Sequence, residues 1–134
     1  MPKGSRIASI FARQVFTWRN HPGIETTVTT ANEAVGTAEV TAGLSVGDYE
    51  VAFAYDGGSK WGGLGVQRAV DNVNNIIAPA LIGQDATRQL EIDRLMIELD
   101  GTANKSRLGG NALASVSAAV LKAGAASLGI PLYQ

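Results

Sequence analysis

Apolar residues recur along this chain with two different periods. Ile7 to Phe16 is rich in β-branched and aromatic residues, Ile24-Glu-Thr-Thr-Val-Thr-Thr30 alternates in character, and Val35 to Thr41 forms a third run of the same kind. Such runs suit half-buried strands. Ala31-Asn-Glu-Ala34 supplies a hairpin turn between the second and third, and the many threonines fit a sheet with one wetter face. Beyond Gly65 the spacing becomes helical. Val66, Ala69, Val70, Val73, Ile76 and Ile77 make one apolar stripe. Pro79 is expected to end or kink that helix, because it lacks an N–H and crowds the preceding turn. A second helix, starting near a capping Asp85 or Thr87, shows Ile92, Leu95, Met96 and Leu99 on one face and stops at Asp100-Gly101. The third runs from about Asn111 to Leu128 and ends at Gly129, with Pro131 beyond. Its alanines permit close approach, which places it centrally. The pattern predicts an α+β domain with a three-stranded antiparallel meander followed by a helical layer. Val73, Ile77, Leu95, Leu99, Val116 and Val120 form its expected core.

Length narrows the picture. A chain of 134 residues fits one domain, spanning 1–134, and buries roughly two-thirds of its unfolded surface. It is too short for a (β/α)8 barrel, which needs about 250 residues. A net charge of −1 and a pI near 5.7, with scattered Lys and Arg, argue against a nucleic-acid binder. The absence of cysteine excludes disulfides, thiolate catalysis and Cys-type zinc sites. The first apolar run, Ile7 to Ala12, is interrupted by Ser9 and too short for a secretory core or a membrane span. No membrane association is expected, and cytoplasmic is the default location.

Two features invite a chemical reading from the residues alone. Glycines crowd the window from Gly43 to Gly65. Gly57-Gly58 and Gly62-Gly63-Leu-Gly65 precede a helix whose N-terminus could attract phosphate. No dinucleotide fingerprint or P-loop is present, so a plain flexible connection is the stronger reading. His21, the only histidine, sits beside Pro22 in a turn with nothing nearby to orient it, as an ordinary surface histidine does.

Longer motifs carry more. Gly63-Leu-Gly-Val-Gln-Arg-Ala-Val-Asp-Asn-Val-Asn-Asn-Ile-Ile-Ala-Pro-Ala-Leu-Ile-Gly83 and Glu98-Leu-Asp-Gly-Thr-Ala-Asn-Lys-Ser-Arg-Leu-Gly-Gly-Asn-Ala112 together resemble the N-terminal domain of enolase. The resemblance runs from Ala12-Arg13-Gln14 to Tyr133. It implies a glycolytic lyase that dehydrates 2-phosphoglycerate to phosphoenolpyruvate with magnesium. The acid, the base and most metal ligands of such an enzyme lie in a C-terminal barrel. Ala42-Gly-Leu-Ser-Val-Gly-Asp-Tyr-Glu50 aligns with the family's active-site loop, Ser-Gly-Ala-Ser-Thr-Gly-x-x-Glu. The resemblance makes Ser45 the ligand to the second magnesium, in company with a barrel. Gly43, Gly47 and Glu50 are kept, whereas Ala42, Leu44 and Val46 depart from the loop pattern. Magnesium needs carboxylates or phosphate besides a hydroxyl, so no cofactor is expected for the chain alone.

The resemblance also assigns Arg19 to a dimer contact. Thr17, Trp18, Asn20 and His21 replace Asp, Ser, Gly and Asn of the motif Ala-Arg-Gln-Ile-x-Asp-Ser-Arg-Gly-Asn-Pro, and the lost glycine is a change of backbone as well as side chain. Phe53-Ala-Tyr-Asp-Gly-Gly58 stands where the family has Glu-Leu-Arg-Asp-Gly-Asp, turning charged surface partly apolar. Asn104 to Ala112 reads as structural, a polar turn entering a helix.

Two functions follow. One is a capping domain that closes an enolase site with a barrel, attached or separate, and has no catalysis of its own. The alternative is a stand-alone, degenerate head acting in binding or protein interaction. They differ in whether the reading frame continues past Gln134. Either role leaves apolar surface around Phe16, Trp18, Leu44, Val46, Tyr49 and Phe53, together with an open first strand. A homodimer or self-association, with Trp18 near the contact, is the corresponding expectation.

Overall fold

The computed structural model describes residues 3–17, 20–41 and 51–134. Strands β1 (Ile7–Phe16), β2 (Pro22–Thr30) and β3 (Val35–Val40) form an antiparallel sheet in the order β1-β2-β3, as the alternation predicts. Ile24, Thr26, Val28 and Thr30 of β2 face the core, and Glu25, Thr27 and Thr29 face away. Ile7 and Ile10 both point inward although three residues apart, which strict alternation forbids. A register shift between Ile7 and Ser9 reconciles them. The hairpin turn lies where expected, with Glu33 at φ 68° and Thr30 N–H donating to Ala34 O at 2.9 Å.

The helices lie on one face of this sheet. α1 (Gln67–Asn72) continues through a π-helical turn, Val73–Ile77, into α2 (Ala78–Leu81). Pro79 therefore neither ends nor sharply breaks the helix. The turn before it widens, and Ala78 N–H reaches back five residues to Val73 O. That local widening absorbs the crowding a proline imposes on the carbonyl four residues earlier.

α4 (Gly110–Leu128) crosses β2 and β3 and ends at Gly129 in the left-handed conformation. Gly36 of β3 meets its backbone at Ala119 and Ala123, and Thr26 hydrogen-bonds Ser115 at 2.8 Å through the core. By length and composition alone α4 could cross a membrane, yet half of it is buried against its own sheet. Its apolarity is that of a core helix.

α3 (Gln89–Asp100) touches the body through α4 and buries a narrow stripe, Ile92, Met96 and Asp100. Four core expectations hold fully, at Val73, Ile77, Val116 and Val120, and Leu99 is half-buried. Leu95 does not belong to the core. It is 38% exposed, because a helix resting on one neighbour covers less than the width of its apolar face.

α3 also begins later than the capping residues suggested. Its N-cap is Arg88, which makes no side-chain cap bond. Asp85 is committed elsewhere: its carboxylate accepts Thr87 N–H at 3.0 Å and the hydroxyls of Ser5 and Thr87 at 2.8 Å. This pins the start of the chain beside β1. Ile7 N–H donates to Gln84 O at 2.8 Å and Gly83 N–H to Ile7 O at 2.9 Å. Farther along β1, the Asn74 amide accepts from Ala12 N–H at 2.8 Å and donates to Ala12 O at 3.0 Å. The edge expected to stand open is thus closed at Ile7 and Ala12, by a loop and by a side chain that imitates a strand.

Candidate functional site

Trp18, Arg19, Gly43, Ser45, Gly47 and Glu50, with Ala42, Leu44, Val46 and Tyr49, lie outside the described residues. The structure describes the frame on either side of them. On the sheet side, Thr17 organises the turn. Its N–H donates to His21 O at 2.9 Å, its hydroxyl donates to the same carbonyl at 3.1 Å, and that hydroxyl lies 3.4 Å from Thr41 Oγ1. Thr17 is buried, so the residue standing where the motif has Asp is part of the packing. Asn20 takes φ 57°, and asparagine tolerates the left-handed region better than most residues other than glycine. The turn survives the replacement of its glycine. His21 contributes its backbone carbonyl here.

On the helix side, residues 51–56 form a strap across the start of α4. Ala52 N–H donates to Asn104 O at 2.7 Å, and Gly110 N–H donates to Ala52 O at 2.6 Å. Two residues on, the buried Asn111 amide accepts Ala54 N–H at 2.9 Å and donates to Ala54 O at 3.1 Å. One side chain satisfies both backbone groups of Ala54 in a segment that pairs with no strand. The segment Asn104 to Ala112 is structural, as read, and its task is specific: it is the socket for the strap. The only hint in sequence was an asparagine placed just inside an apolar helix.

The socket is itself braced by Asp100. Its carboxylate accepts Leu108 N–H at 2.7 Å, Thr102 N–H at 3.0 Å and the Thr102 hydroxyl. Lys105 places its ammonium 3.3 Å and 3.2 Å from the carbonyls of Thr102 and Ala103. Burial is the largest single influence on the Asp100 carboxyl and pushes its pKa up. The Thr102 hydroxyl, the Leu108 and Thr102 amides and the Lys105 charge together outweigh it, so the pKa lies below the usual value.

The glycine-rich loop ends in a different arrangement from a phosphate cradle. Asp56 Oδ2 accepts Gln67 N–H at 3.0 Å and Oδ1 accepts Arg68 N–H at 2.7 Å. The first turn of α1 already holds a carboxylate, and a second anion there would meet its charge. Gly57, Gly58, Gly62 and Gly63 all have positive φ, as does Trp61 at 54°. The Trp61 ring packs edge-on against Phe16, with centroids 4.8 Å apart. Phe53 and Tyr55, which replace charged family residues, pack on each other at 6.0 Å.

Among the described residues no group of three or more His, Cys, Asp or Glu side chains could hold a metal ion. Asp56 and Asp100 use both carboxylate oxygens, and Asp85 its Oδ1, in hydrogen bonds within the chain, and Glu25 pairs with Arg13 at 2.7 Å.

A family model described as the enolase N-terminal domain matches residues 7–134. The enolase of Methanopyrus kandleri is 54% identical over 129 residues, covering 96% of this chain and 30% of that protein. Enolases of Thermococcus kodakarensis and Thermococcus gammatolerans are each 52% identical over 128 residues, again covering 96% of this chain and 30% of the relative. The chain therefore spans about 30% of the length of these relatives.

Proposed function

This chain belongs to the enolase N-terminal domain family, and from that membership we propose that it serves as the capping domain of an enolase. In this reading it works with a barrel that supplies the acid, the base and the carboxylates for magnesium, and the pair dehydrates 2-phosphoglycerate in a cytoplasmic setting. The carrying observation is the match itself: it takes in 96% of the chain while corresponding to 30% of each relative. Two details support it. The turn at Asn20 has a left-handed backbone, the kind that glycine favours, and the strap at Ala52 and Ala54 is held by four hydrogen bonds. In the proposed complex Ser45 supplies an oxygen ligand, and Gly43, Gly47 and Glu50 maintain its loop.

A chimera tests the proposal. This chain replaces the corresponding segment of the Thermococcus kodakarensis enolase, and phosphoenolpyruvate formation is followed. The chimera is expected to turn over 2-phosphoglycerate, Ser45→Ala in it to lose at least tenfold, on the order of one lost ligand or charge-stabilising contact, and the chain alone to show no turnover. A folded chimera without activity, or turnover by the purified chain abolished by Ser45→Ala, sinks the capping role.

Self-association belongs to the same proposal, with Trp18 and Arg19 at the contact. The support that remains after closure of the β1 edge is exposed apolar surface. Phe11 is 61%, Phe16 56% and Val35 53% exposed, and exposed apolar side chains can contribute to an interface. Sedimentation from low to high micromolar concentration should show a rising average mass, reduced by Trp18→Ala. A strict monomer throughout that range refutes it.

A further inference from the structure

The strap rests on α4 at one tight point. Val51 stands over Gly110, and a Cβ added to Gly110 would overlap Val51 Cγ2 while lying 3.0 Å from Val51 Cβ and 3.3 Å from Ala52 O. Rotating the valine relieves only the first of these. Its Cβ and the Ala52 carbonyl must then each give by a few tenths of an ångström, on a backbone held by the Ala52–Asn104 and Gly110–Ala52 hydrogen bonds. Gly110 is not among the positive-φ residues, so glycine is needed here for space and not for conformation.

From this contact we infer that Gly110 and Val51 form a size-matched steric latch that seats residues 51–56 on α4, separately from the packing of α4 on the sheet. The latch is a local device. It lies at the first turn of α4, whereas the sheet contacts at Ala119 and Ala123 lie well along the helix. Side-chain volume at positions 51 and 110 together decides whether the strap sits down. In the capping role proposed above the latch fixes where the strap begins, at Val51, on the body. That significance rests on the capping reading, while the latch itself does not.

Amide hydrogen exchange on the 134-residue chain, read by NMR, tests it with Gly110→Ala, Val51→Ala and the double variant. Local opening exposes only the amides of the unit that opens. Gly110→Ala should speed exchange at Ala52 and Ala54 by about tenfold or more and leave Val28 and Val120 at their original rates. Adding Val51→Ala should restore most of the protection, because the Cγ2 overlap disappears and a few tenths of an ångström of adjustment accommodate the rest. Unchanged exchange in Gly110→Ala, equal loss at Val28 and Val120, or failure of Val51→Ala to rescue overturns the latch. Should Gly110→Ala alone not fold, a folded double variant supports the latch and an unfolded one refutes it. None of these readouts depends on the chimera, so an inactive chimera with an intact latch separates the two proposals.

Discussion

Gly36→Ala is expected to be the most damaging single substitution in this domain, lowering stability by about 3 kcal/mol, the upper end of overpacking costs. The added methyl would overlap the Ala119 carbonyl oxygen and the Ala123 amide nitrogen of α4. Both are backbone atoms in the middle of a long helix, so no rotamer change clears them. α4 would have to lift from β3, disturbing Ala119, Val120 and Ala123, all of them completely buried. In a domain of this size the melting temperature should fall by roughly 10 °C. Val35→Ala, next in the chain but 53% exposed, is the control and should change stability by about 0.5 kcal/mol or less. Thermal unfolding of the two variants beside the parent settles the point. A Gly36→Ala protein as stable as the control would mean that α4 does not approach β3 as described.

Asp100→Ala should follow closely, with a loss of about 3 kcal/mol from stranded amide donors and the emptied site. Asp100 is 1% exposed and accepts hydrogen bonds from Leu108 N–H, Thr102 N–H and the Thr102 hydroxyl. Removing it frees the loop that carries Asn104 and thereby the strap at Ala52. The same residue predicts a pH dependence of definite sign. Its folded pKa lies below the ordinary value, so between the two pKa values the unfolded chain binds more protons than the folded one. Its contribution is therefore fully present above the unfolded pKa, about 3.9 for an aspartate, and is lost as pH falls through the folded value. Asp85 behaves alike. Burial raises its pKa, but the Thr87 amide, the hydroxyls of Ser5 and Thr87 and the Arg88 charge lower it further. Urea midpoints should be level from about pH 7 to 5 and drop below about pH 4, with a shallower drop in Asp85→Asn/Asp100→Asn. An identical acid slope in parent and double variant would rule out these two carboxyls as its source.

Much of the architecture was legible in the chain. The strands at Ile7–Phe16 and Val35–Val40, the turn between β2 and β3, and the stop of α4 at Gly129 follow local rules of alternation, capping and left-handed glycine. The family was legible too, because its long motifs are contiguous. The candidate site was legible only as names on a loop: Ser45, Gly43, Gly47 and Glu50 were assigned by resemblance. The scaffold around that loop had no local signature. Asn111 looks in sequence like a helix-entry polar residue, and only the arrival of Ala54 from 57 positions away makes it a two-pronged anchor. Asp56 looks like part of a glycine-rich turn until Gln67 and Arg68 present their amides to it.

The remaining differences share one cause. Periodicity tells which side of a helix is apolar, but the width of the stripe that gets covered depends on what packs there, and α3 has too narrow a support to bury Leu95. Proline's effect on a helix depends on whether the turn before it can widen, as Val73–Ile77 does. An edge strand stays open or closes according to which distant groups reach it, here Gln84, Gly83 and Asn74. By itself the sequence determined the elements, their order and the family, because each is encoded in neighbours along the chain. Tertiary structure alone decided how the strap is anchored, how the strand edge is closed, why Gly36 must lack a side chain and why Gly110 faces Val51, because each depends on groups that folding brings together from distant positions.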